Sequence, residues 1–257
     1  MLAEERRFRI REMLATRRTI AAVELCELFG VTPITIRRDL ATLEGEGVLV
    51  RSHGGAVSRM SSTSFQPAYE TLLESHSEEK EAIARHAEQL ILDGDTVFLE
   101  GSTSVFELAR RLRSRNRLTV VTNSPPIVCE LQRSPGISVM CTGGDLQRDT
   151  FYLLGEWAQR SLSEIRLDKA VMGISAIDPV YGVSTSRQAE AHIKKLILKA
   201  ARVRIGLADN SKFGIQSFAY VGPVSDLDIL VTDSKTDPRL VSELRASKID
   251  VQVAQPR

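Results

Sequence analysis

Seven apolar runs, each of the length of a β-strand, follow one another between Thr96 and the end of the chain, and they constrain the fold more than any other feature. Each run is apolar along its whole length, which is typical of strands buried on both faces. Segments with helical periodicity separate most of the runs. This alternation predicts an α/β domain with a mainly parallel sheet. The runs read TVFL, LTVVT, ISVMC, KAVMGI, VRIGLA, DILVT and VQVA, and the clearest helices are predicted at Thr103–Leu112, Ile127–Leu131, Gln188–Ala201 and Arg239–Ala246.

The first part of the chain shows a different pattern, in which short helices precede a hairpin. One helix is predicted over Ala3–Thr16 and a second over the stretch AAVELCELF, which Gly30 ends. Thr32 follows almost at once as a favoured N-cap residue, with Pro33 at the first position of the next helix. Two short helices joined by a tight glycine turn indicate a helix-turn-helix, and the run GVLVRSHGGA adds a hairpin. The pattern therefore predicts a winged helix-turn-helix.

The second helix of this motif, within VTPITIRRDL, separates an apolar face from a charged one. Ile36, Leu40 and Leu43 recur at the spacing of a buried face, and Arg38 projects the opposite way. An ordinary solvated helix would show the same pattern. The adjacent helix and hairpin favour a DNA-reading helix, in which Arg37 and Arg38 would meet phosphates or base edges in the major groove.

Charge and cysteine content exclude other classes. The chain has 257 residues, with 34 basic against 33 acidic side chains, so the net charge of +1 does not by itself indicate a nucleic-acid partner. Cys26, Cys129 and Cys141 are far apart and form no CxxC, so we expect neither a disulfide framework nor a metal site, and no cofactor. The charged N-terminus and the lack of a long apolar stretch predict a soluble, cytoplasmic protein without a membrane partner.

Small polar residues gather after the predicted strands, where open α/β sheets bind ligands. The helix that begins near Ser102 would offer backbone N–H groups to an anion, and Lys212 would add a positive charge. Glu100 and Asp209 could accept hydrogen bonds from sugar-like hydroxyls. Each loop alone could equally be a cap or a turn, but four at one sheet edge favour a small polar anion. The loops are Glu100-Gly101-Ser102-Thr103-Ser104, Thr122-Asn123-Ser124, Gly143-Gly144-Asp145 and Ala208-Asp209-Asn210-Ser211-Lys212.

Together these residues resemble the DeoR-type bacterial transcriptional regulators along nearly the whole chain. The motifs that carry the resemblance read VTPITIRRDLATLEGEGVLVRSHGGA, VTNS, GGDLQ, DKAVMGISAID, EAHIK and LADNSKFG. The resemblance implies an N-terminal winged helix that binds operator DNA. It also implies a sensor domain, related to ribose-phosphate isomerase and CoA-transferase folds, that binds a phosphorylated sugar or a sugar-derived metabolite.

The resemblance also implies roles for individual residues. The family's phosphate loop usually reads Asp, a small residue, Gly, Thr, Thr, whereas this chain has Glu100-Gly101-Ser102-Thr103-Ser104, which leaves the effector open. The expected DNA contacts are Thr32, Ile34, Thr35, Arg37, Arg38, Arg51 and His53. The expected effector contacts are Thr103, Asn123, Gly143, Gly144, Asp168, Lys194 and Lys212, to which the sheet-edge argument adds Glu100, Ser102, Ser104 and Asp209.

We therefore predict a DNA-binding domain at 1–58, with its helix-turn-helix at about 20–39, a serine-rich linker at 59–76 and an effector-sensing domain at 77–257. Apolar residues in the linker, Phe65, Tyr69, Leu72 and Leu73, could dock on the sensor domain. The predicted function is a repressor of carbohydrate-metabolism genes, active as a homodimer or larger homo-oligomer on double-stranded operator DNA. The alternatives are a phosphosugar isomerase or CoA-transferase-like enzyme with an appended DNA-binding domain, and a DNA-binding protein whose second domain only oligomerises.

Overall fold

The computed structural model describes residues 2–16, 19–46, 48–52, 54–58, 63 and 66–256. The chain divides into two compact units, Met1–Pro67 and Ala68–Arg257, which we call the helix-turn-helix unit and the sensor unit. His53 and Phe65, to which the sequence analysis gave roles, lie outside the described residues.

The helix-turn-helix unit packs three helices against a small antiparallel sheet. The core is formed by one apolar side of each helix, and Ile36, Leu40 and Leu43 are all buried as their spacing predicted. The predicted hairpin is present, and a third strand before the second helix pairs with it, so that the strand order is β1-β3-β2. The elements are α1 (Ala3–Thr16), β1 (Thr19–Ala21), α2 (Ala22–Phe29), α3 (Pro33–Gly45), β2 (Leu49–Ser52) and β3 (Gly55–Ser58).

The sensor unit is built on a seven-stranded sheet in which every neighbouring pair is parallel. All seven apolar runs are confirmed as its strands. The elements are α4 (Tyr69–Glu74), α5 (Ser77–Glu88), β4 (Thr96–Leu99), α6 (Thr103–Leu112), β5 (Leu118–Thr122), α7 (Pro125–Leu131), β6 (Ile137–Cys141), β7 (Asp145–Leu146), β8 (Leu153–Leu154), α8 (Glu156–Ser163), β9 (Leu167–Gly173), β10 (Ala176–Asp178), β11 (Gly182–Thr185), α9 (Gln188–Ala200), β12 (Ala201–Leu207), β13 (Ala219–Gly222), β14 (Ile229–Asp233), α10 (Pro238–Ala246) and β15 (Asp250–Ala254).

Helices cover both faces of this sheet, which explains why its strands are apolar throughout. Along β4, Val97 and Leu99 pack with α5, α6 and α7, whereas Phe98 points to the opposite face and packs with α8 and α9. The sheet order is β15-β14-β12-β9-β4-β5-β6. The chain thus winds from β4 towards one edge and then, from β9, towards the other, so the order reverses between β4 and β9. A crevice at the carboxyl ends of two such strands is the usual ligand site of this architecture.

Several short elements of the sensor unit were not predicted. These are the hairpin β7–β8, the antiparallel sheet β10-β11-β13 and the helix α8. Their strands are only two to four residues long, so they contain no apolar run that could be recognised.

Part of the segment that we predicted as a linker is folded. The sensor unit begins at Ala68, and α4 lies within the predicted linker at 59–76. Tyr69 is buried and its ring packs edge-on against Phe151, with 5.4 Å between the ring centroids, while Leu72 and Leu73 are half-buried. A helix of six residues has little stability of its own, so tertiary contacts hold it and its sequence looks like a loop.

None of the helices in the described residues is long and apolar enough to cross a membrane.

Candidate functional sites

The amino end of α3 presents an exposed surface of mixed chemistry. Ile34 is 65% exposed, and Arg37 and Arg38 are exposed as well. Neither guanidinium is paired with an acid in the part of the chain that the structure describes. Thr32 is the N-cap by backbone conformation, but its hydroxyl lies 3.1 Å from the hydroxyl of Thr35 and does not cap a backbone N–H. The helix therefore offers unpaired positive charge, hydroxyls and an apolar side chain along one side.

The acidic residue beside these arginines points the other way. Asp39 is 3% exposed, and its carboxylate accepts a hydrogen bond from Nε of Arg6 on α1 at 2.5 Å. Arg7 adds a second cation at 3.8 Å. The negative charge of Asp39 is thus used inside the unit to attach α3 to α1, and it does not neutralise the exposed arginines.

Of the two DNA contacts predicted in the hairpin, Arg51 lies within the described residues. Nε of Arg51 donates to Glu44 of α3 at 2.6 Å, and the backbone N–H of Arg51 donates to the same carboxylate at 2.9 Å. The side chain of Arg51 is nevertheless 49% exposed, so the pair orients a charged group that solvent still reaches.

At the switch point of the sensor sheet lies a buried ion pair. Glu100, just after β4, accepts a hydrogen bond from Nζ of Lys194 on α9 at 2.8 Å, and both side chains are 2% exposed. The other carboxylate oxygen accepts from the backbone N–H groups of Gly173 at 3.1 Å and Ser102 at 3.2 Å. Nζ of Lys194 also donates to the carbonyl oxygen of Gly173 at 2.7 Å. We predicted both side chains as effector contacts. Their hydrogen bonds instead connect the end of β4 to the end of β9, to the start of α6 and to α9.

The loop that leads into α6 is shaped by close contacts. Ser102 is the N-cap and accepts a hydrogen bond from the N–H of Val105 at 3.4 Å, while Thr103 and Ser104 are buried in the first turn. The helix therefore begins at Thr103, directly after this cap. Oδ1 of Asn123 accepts from the N–H of Gly101 at 3.1 Å and so holds this loop beside the end of β5.

The glycine pair after β6 has a backbone role. Gly143 and Gly144 adopt φ angles of +70° and +117°, which side chains other than glycine rarely tolerate. A Cβ atom on Gly144 would also collide with the carbonyl oxygen of Leu154. The conformation of this turn is therefore sufficient to explain why both residues are glycine.

At the end of β12, Asp209 and Lys212 lie together as predicted. Asp209 is 1% exposed, and one carboxylate oxygen lies 3.8 Å from Nζ of Lys212. Burial alone would raise the pKa of Asp209, but Lys212, the hydrogen bond from Ser211, and the charges of His76 and Lys80 together lower it. The group is therefore a carboxylate at neutral pH, held in a cluster of positive charge.

The structure adds one cation that the sequence analysis missed. Lys80 on α5 is 3% exposed, and its Nζ donates to the carbonyl oxygens of Leu72 and Ser75, the latter at 2.6 Å. Burial lowers its pKa to about 8, while the charge of Asp209 opposes this shift and that of Lys212 adds to it. Its position three residues before Ile83, on the buried face of α5, was a signal that could have identified it.

Asp168 does not lie with the other predicted effector contacts. It sits at the amino end of β9, where its carboxylate accepts a hydrogen bond from the N–H of Thr96 at 3.0 Å and lies 3.8 Å from Arg202. Thr96 begins β4, so Asp168 is at the end of the sheet opposite to the switch-point crevice. Within the described residues, no group of three His, Cys, Asp or Glu side chains is arranged to hold a metal ion.

Comparison with known proteins matches both units. The DeoR-like helix-turn-helix domain matches residues 6–62, and the DeoR C-terminal sensor domain matches residues 75–234. The chain is 37% identical over 251 residues to an uncharacterized HTH-type transcriptional regulator, YulB, of Bacillus subtilis, covering 98% of this chain and 96% of that protein. It is 29% identical to the glycerol-3-phosphate regulon repressor of Escherichia coli, covering 94% and 95%. A solved D-ribose-5-phosphate isomerase in complex with phospho-erythronic acid matches 53% of this chain and 54% of its own, with 19% identity and a TM-score of 0.40.

The chain belongs to the DeoR family of transcriptional regulators. This assignment covers both units and agrees with the resemblance that the sequence motifs indicated. The protein is therefore a DNA-binding regulator and not an enzyme that carries a DNA-binding domain as an addition.

Proposed function

We propose that this regulator is a repressor of carbohydrate-metabolism genes and that a phosphorylated sugar, or a related metabolite, releases it from its operator. The observation that carries the proposal is the buried carboxylate of Asp209 with Nζ of Lys212 3.8 Å away, just after the carboxyl end of β12, in the same chain as a helix with two exposed arginines. The similarity to a repressor named for a glycerol-3-phosphate regulon supports the phosphate in this assignment.

The carboxyl ends of the strands near the switch point carry features that suit a phosphate ester. The first turn of α6 offers backbone N–H groups and the positive end of the helix dipole. Lys212 supplies positive charge 3.8 Å from Asp209, and the charge of Lys80 interacts with the same carboxylate. The carboxylate of Asp209 is an acceptor for a sugar hydroxyl. We infer that the proposed effector contacts are Thr103, Ser104, Asp209 and Lys212, together with Lys80, and that Glu100, Lys194 and Asn123 support them.

On the DNA side, the proposed contacts are Thr32, Ile34, Thr35, Arg37 and Arg38 of α3, with Arg51 in the hairpin. One recognition helix reads too few base pairs for a specific site, so we expect a symmetric dimer or larger assembly on two half-sites about one helical turn apart.

An operator titration with and without a sugar phosphate tests this function. The operator is selected from random DNA with the wild-type protein, and the probes are glucose 6-phosphate, fructose 6-phosphate, ribose 5-phosphate and glycerol 3-phosphate. We expect one probe to weaken operator binding at least tenfold in the wild type. Lys212→Ala should abolish most of that response because the phosphate loses a cation, while its operator affinity without probe stays unchanged. Lys199→Ala, which removes an exposed lysine of α9, is the matched control. A repressor that ignores every probe, or a Lys212→Ala protein with a full response, would contradict the assignment.

The affinity for the phosphate should fall as the pH rises above about 8. Burial lowers the pKa of Lys80 to about 8 in the free protein, so Lys80 loses its charge in this range. A bound phosphate favours the protonated form, and each pH unit above the free pKa therefore costs up to about tenfold in affinity. Calorimetry between about pH 7 and about pH 9.5 measures this, and Lys80→Met should show a lower affinity with a flatter profile. The same steep profile in Lys80→Met would assign the titration to another group.

A further inference from the structure

In the sensor unit, three buried hydroxyl groups have no hydrogen-bond partner among the described residues. They belong to Tyr69, Ser124 and Thr150, which are 7%, 0% and 3% exposed. Buried polar groups are nearly always hydrogen-bonded, because an unsatisfied one loses its interaction with water and gains nothing in return. Three such groups in one unit therefore require an explanation.

Ser124 lies beside the loop that leads into α6. An ideal Cβ atom on Gly101 would be 3.1 Å from Cβ of Ser124 and 2.5 Å from Cδ1 of Tyr152, so the two side chains flank this glycine. The N–H of Ser124 is already bound to the hydroxyl of Thr122 at 3.1 Å. Its own hydroxyl is thus held beside the proposed phosphate site without a partner.

Tyr69 approaches the same region from α4. Its backbone N–H donates to the carbonyl oxygen of Asp149 at 2.9 Å, and its ring packs on Phe151, so the side chain is held in one orientation. Burial raises the pKa of Tyr69, and the charges of Glu107 on α6 and of Glu100 at the switch point raise it further. The phenol therefore keeps its proton, and α4, which carries it, packs against α6. Thr150 lies in sequence between Asp149 and Phe151, the two residues that contact Tyr69.

We propose that Tyr69 and Ser124, with Thr150 beside them, form the part of the effector site that recognises the hydroxyl groups of a phosphorylated sugar or polyol. The inference rests on the proposed function, which places the phosphate at the first turn of α6 and Lys212. A protein hydroxyl both donates and accepts a hydrogen bond, as a sugar hydroxyl does, so the two match. A ligand without hydroxyls would leave the buried groups unsatisfied, and sites of this kind discriminate strongly against such ligands. The site thus selects a polyhydroxylated phosphate ester over phosphate itself.

Two conservative variants test the assignment. Tyr69→Phe and Ser124→Ala each remove only a hydroxyl, and Tyr181→Phe removes an exposed one as the matched control. The probe is the sugar phosphate that binds most tightly to the wild type among glucose 6-phosphate, fructose 6-phosphate, ribose 5-phosphate and glycerol 3-phosphate. Calorimetry should show a loss of roughly three- to tenfold in affinity for either variant, the size expected of one neutral hydrogen bond. Affinity for inorganic phosphate should not change, and the control should behave as the wild type.

A second readout separates recognition from a structural role. Because these hydroxyls have no partner in the described structure, Tyr69→Phe should leave the melting temperature of the free protein equal or higher, whereas a structural hydrogen bond would lower it. Unchanged affinity for the sugar phosphate, or an equal loss for inorganic phosphate, would overturn the inference and leave the proposed function standing. A wild-type protein that binds operator but none of the sugar phosphates would overturn both.

Discussion

Replacing Arg38 with alanine is expected to weaken operator binding by roughly ten- to a hundredfold without unfolding the protein. The side chain is exposed on α3, opposite the buried Ile36 and Leu40, so its loss removes nothing from the core. Its guanidinium has no acidic partner among the described residues, so its full charge is available to DNA. A bidentate contact to a base is worth about 1–3 kcal/mol, and a ten- to hundredfold loss, about 1.4–2.8 kcal/mol, lies within that range.

The salt dependence distinguishes the two kinds of contact that Arg38 could make. Loss of a phosphate contact should weaken binding to all sequences and reduce the slope of log affinity against log salt by about one. Loss of a base contact should relax specificity at one position of the selected operator. Arg160→Ala, which removes an exposed arginine of α8 in the sensor unit, is the control and should leave operator binding unchanged. Wild-type affinity of the Arg38→Ala protein across the salt titration would show that α3 is not the reading helix.

Replacing Lys194 with methionine is expected to destabilise the sensor unit by about 3–5 kcal/mol, the usual cost of leaving one member of a buried ion pair without its partner. Glu100 would then keep two backbone N–H donors but lose its only ion-pair partner in the described residues. The carbonyl oxygen of Gly173 would lose its hydrogen bond to the same lysine.

Urea denaturation, followed by a probe of the sensor unit, measures this effect. The double variant Glu100→Gln with Lys194→Met should be more stable than Lys194→Met alone, because it contains no uncompensated charge. Lys199→Met, on an exposed position of the same helix, should change the free energy of unfolding little. If Lys194→Met were as stable as that control, the ion pair would not contribute to the stability of the sensor unit.

The sequence by itself determined the elements whose signal is local and long. The seven apolar runs were all strands because burial on both faces requires apolar residues at every position. The orientation of α3 was also predictable from a local pattern, since a period of 3.6 residues separates Ile36 and Leu40 from Arg38. The short strands and α4 left no such pattern, because tertiary contacts and not local propensity hold them.

The tertiary structure alone decided which polar residues meet. No single segment specifies the strand order. Only the tertiary structure therefore showed that β4 and β9 flank the switch point and that Lys194 forms an ion pair with Glu100. Asp168 lies at the end of the sheet opposite to Glu100. It stands at the amino end of β9, whereas Glu100 follows the carboxyl end of the parallel strand β4. Lys80 lies on the buried face of α5, as its spacing from Ile83 indicated, but only the tertiary structure showed that its Nζ donates to the carbonyl oxygens of Leu72 and Ser75. A ligand site in such a sheet is made of residues from separate strands, so the sequence could predict a sheet edge but not which side chains meet there.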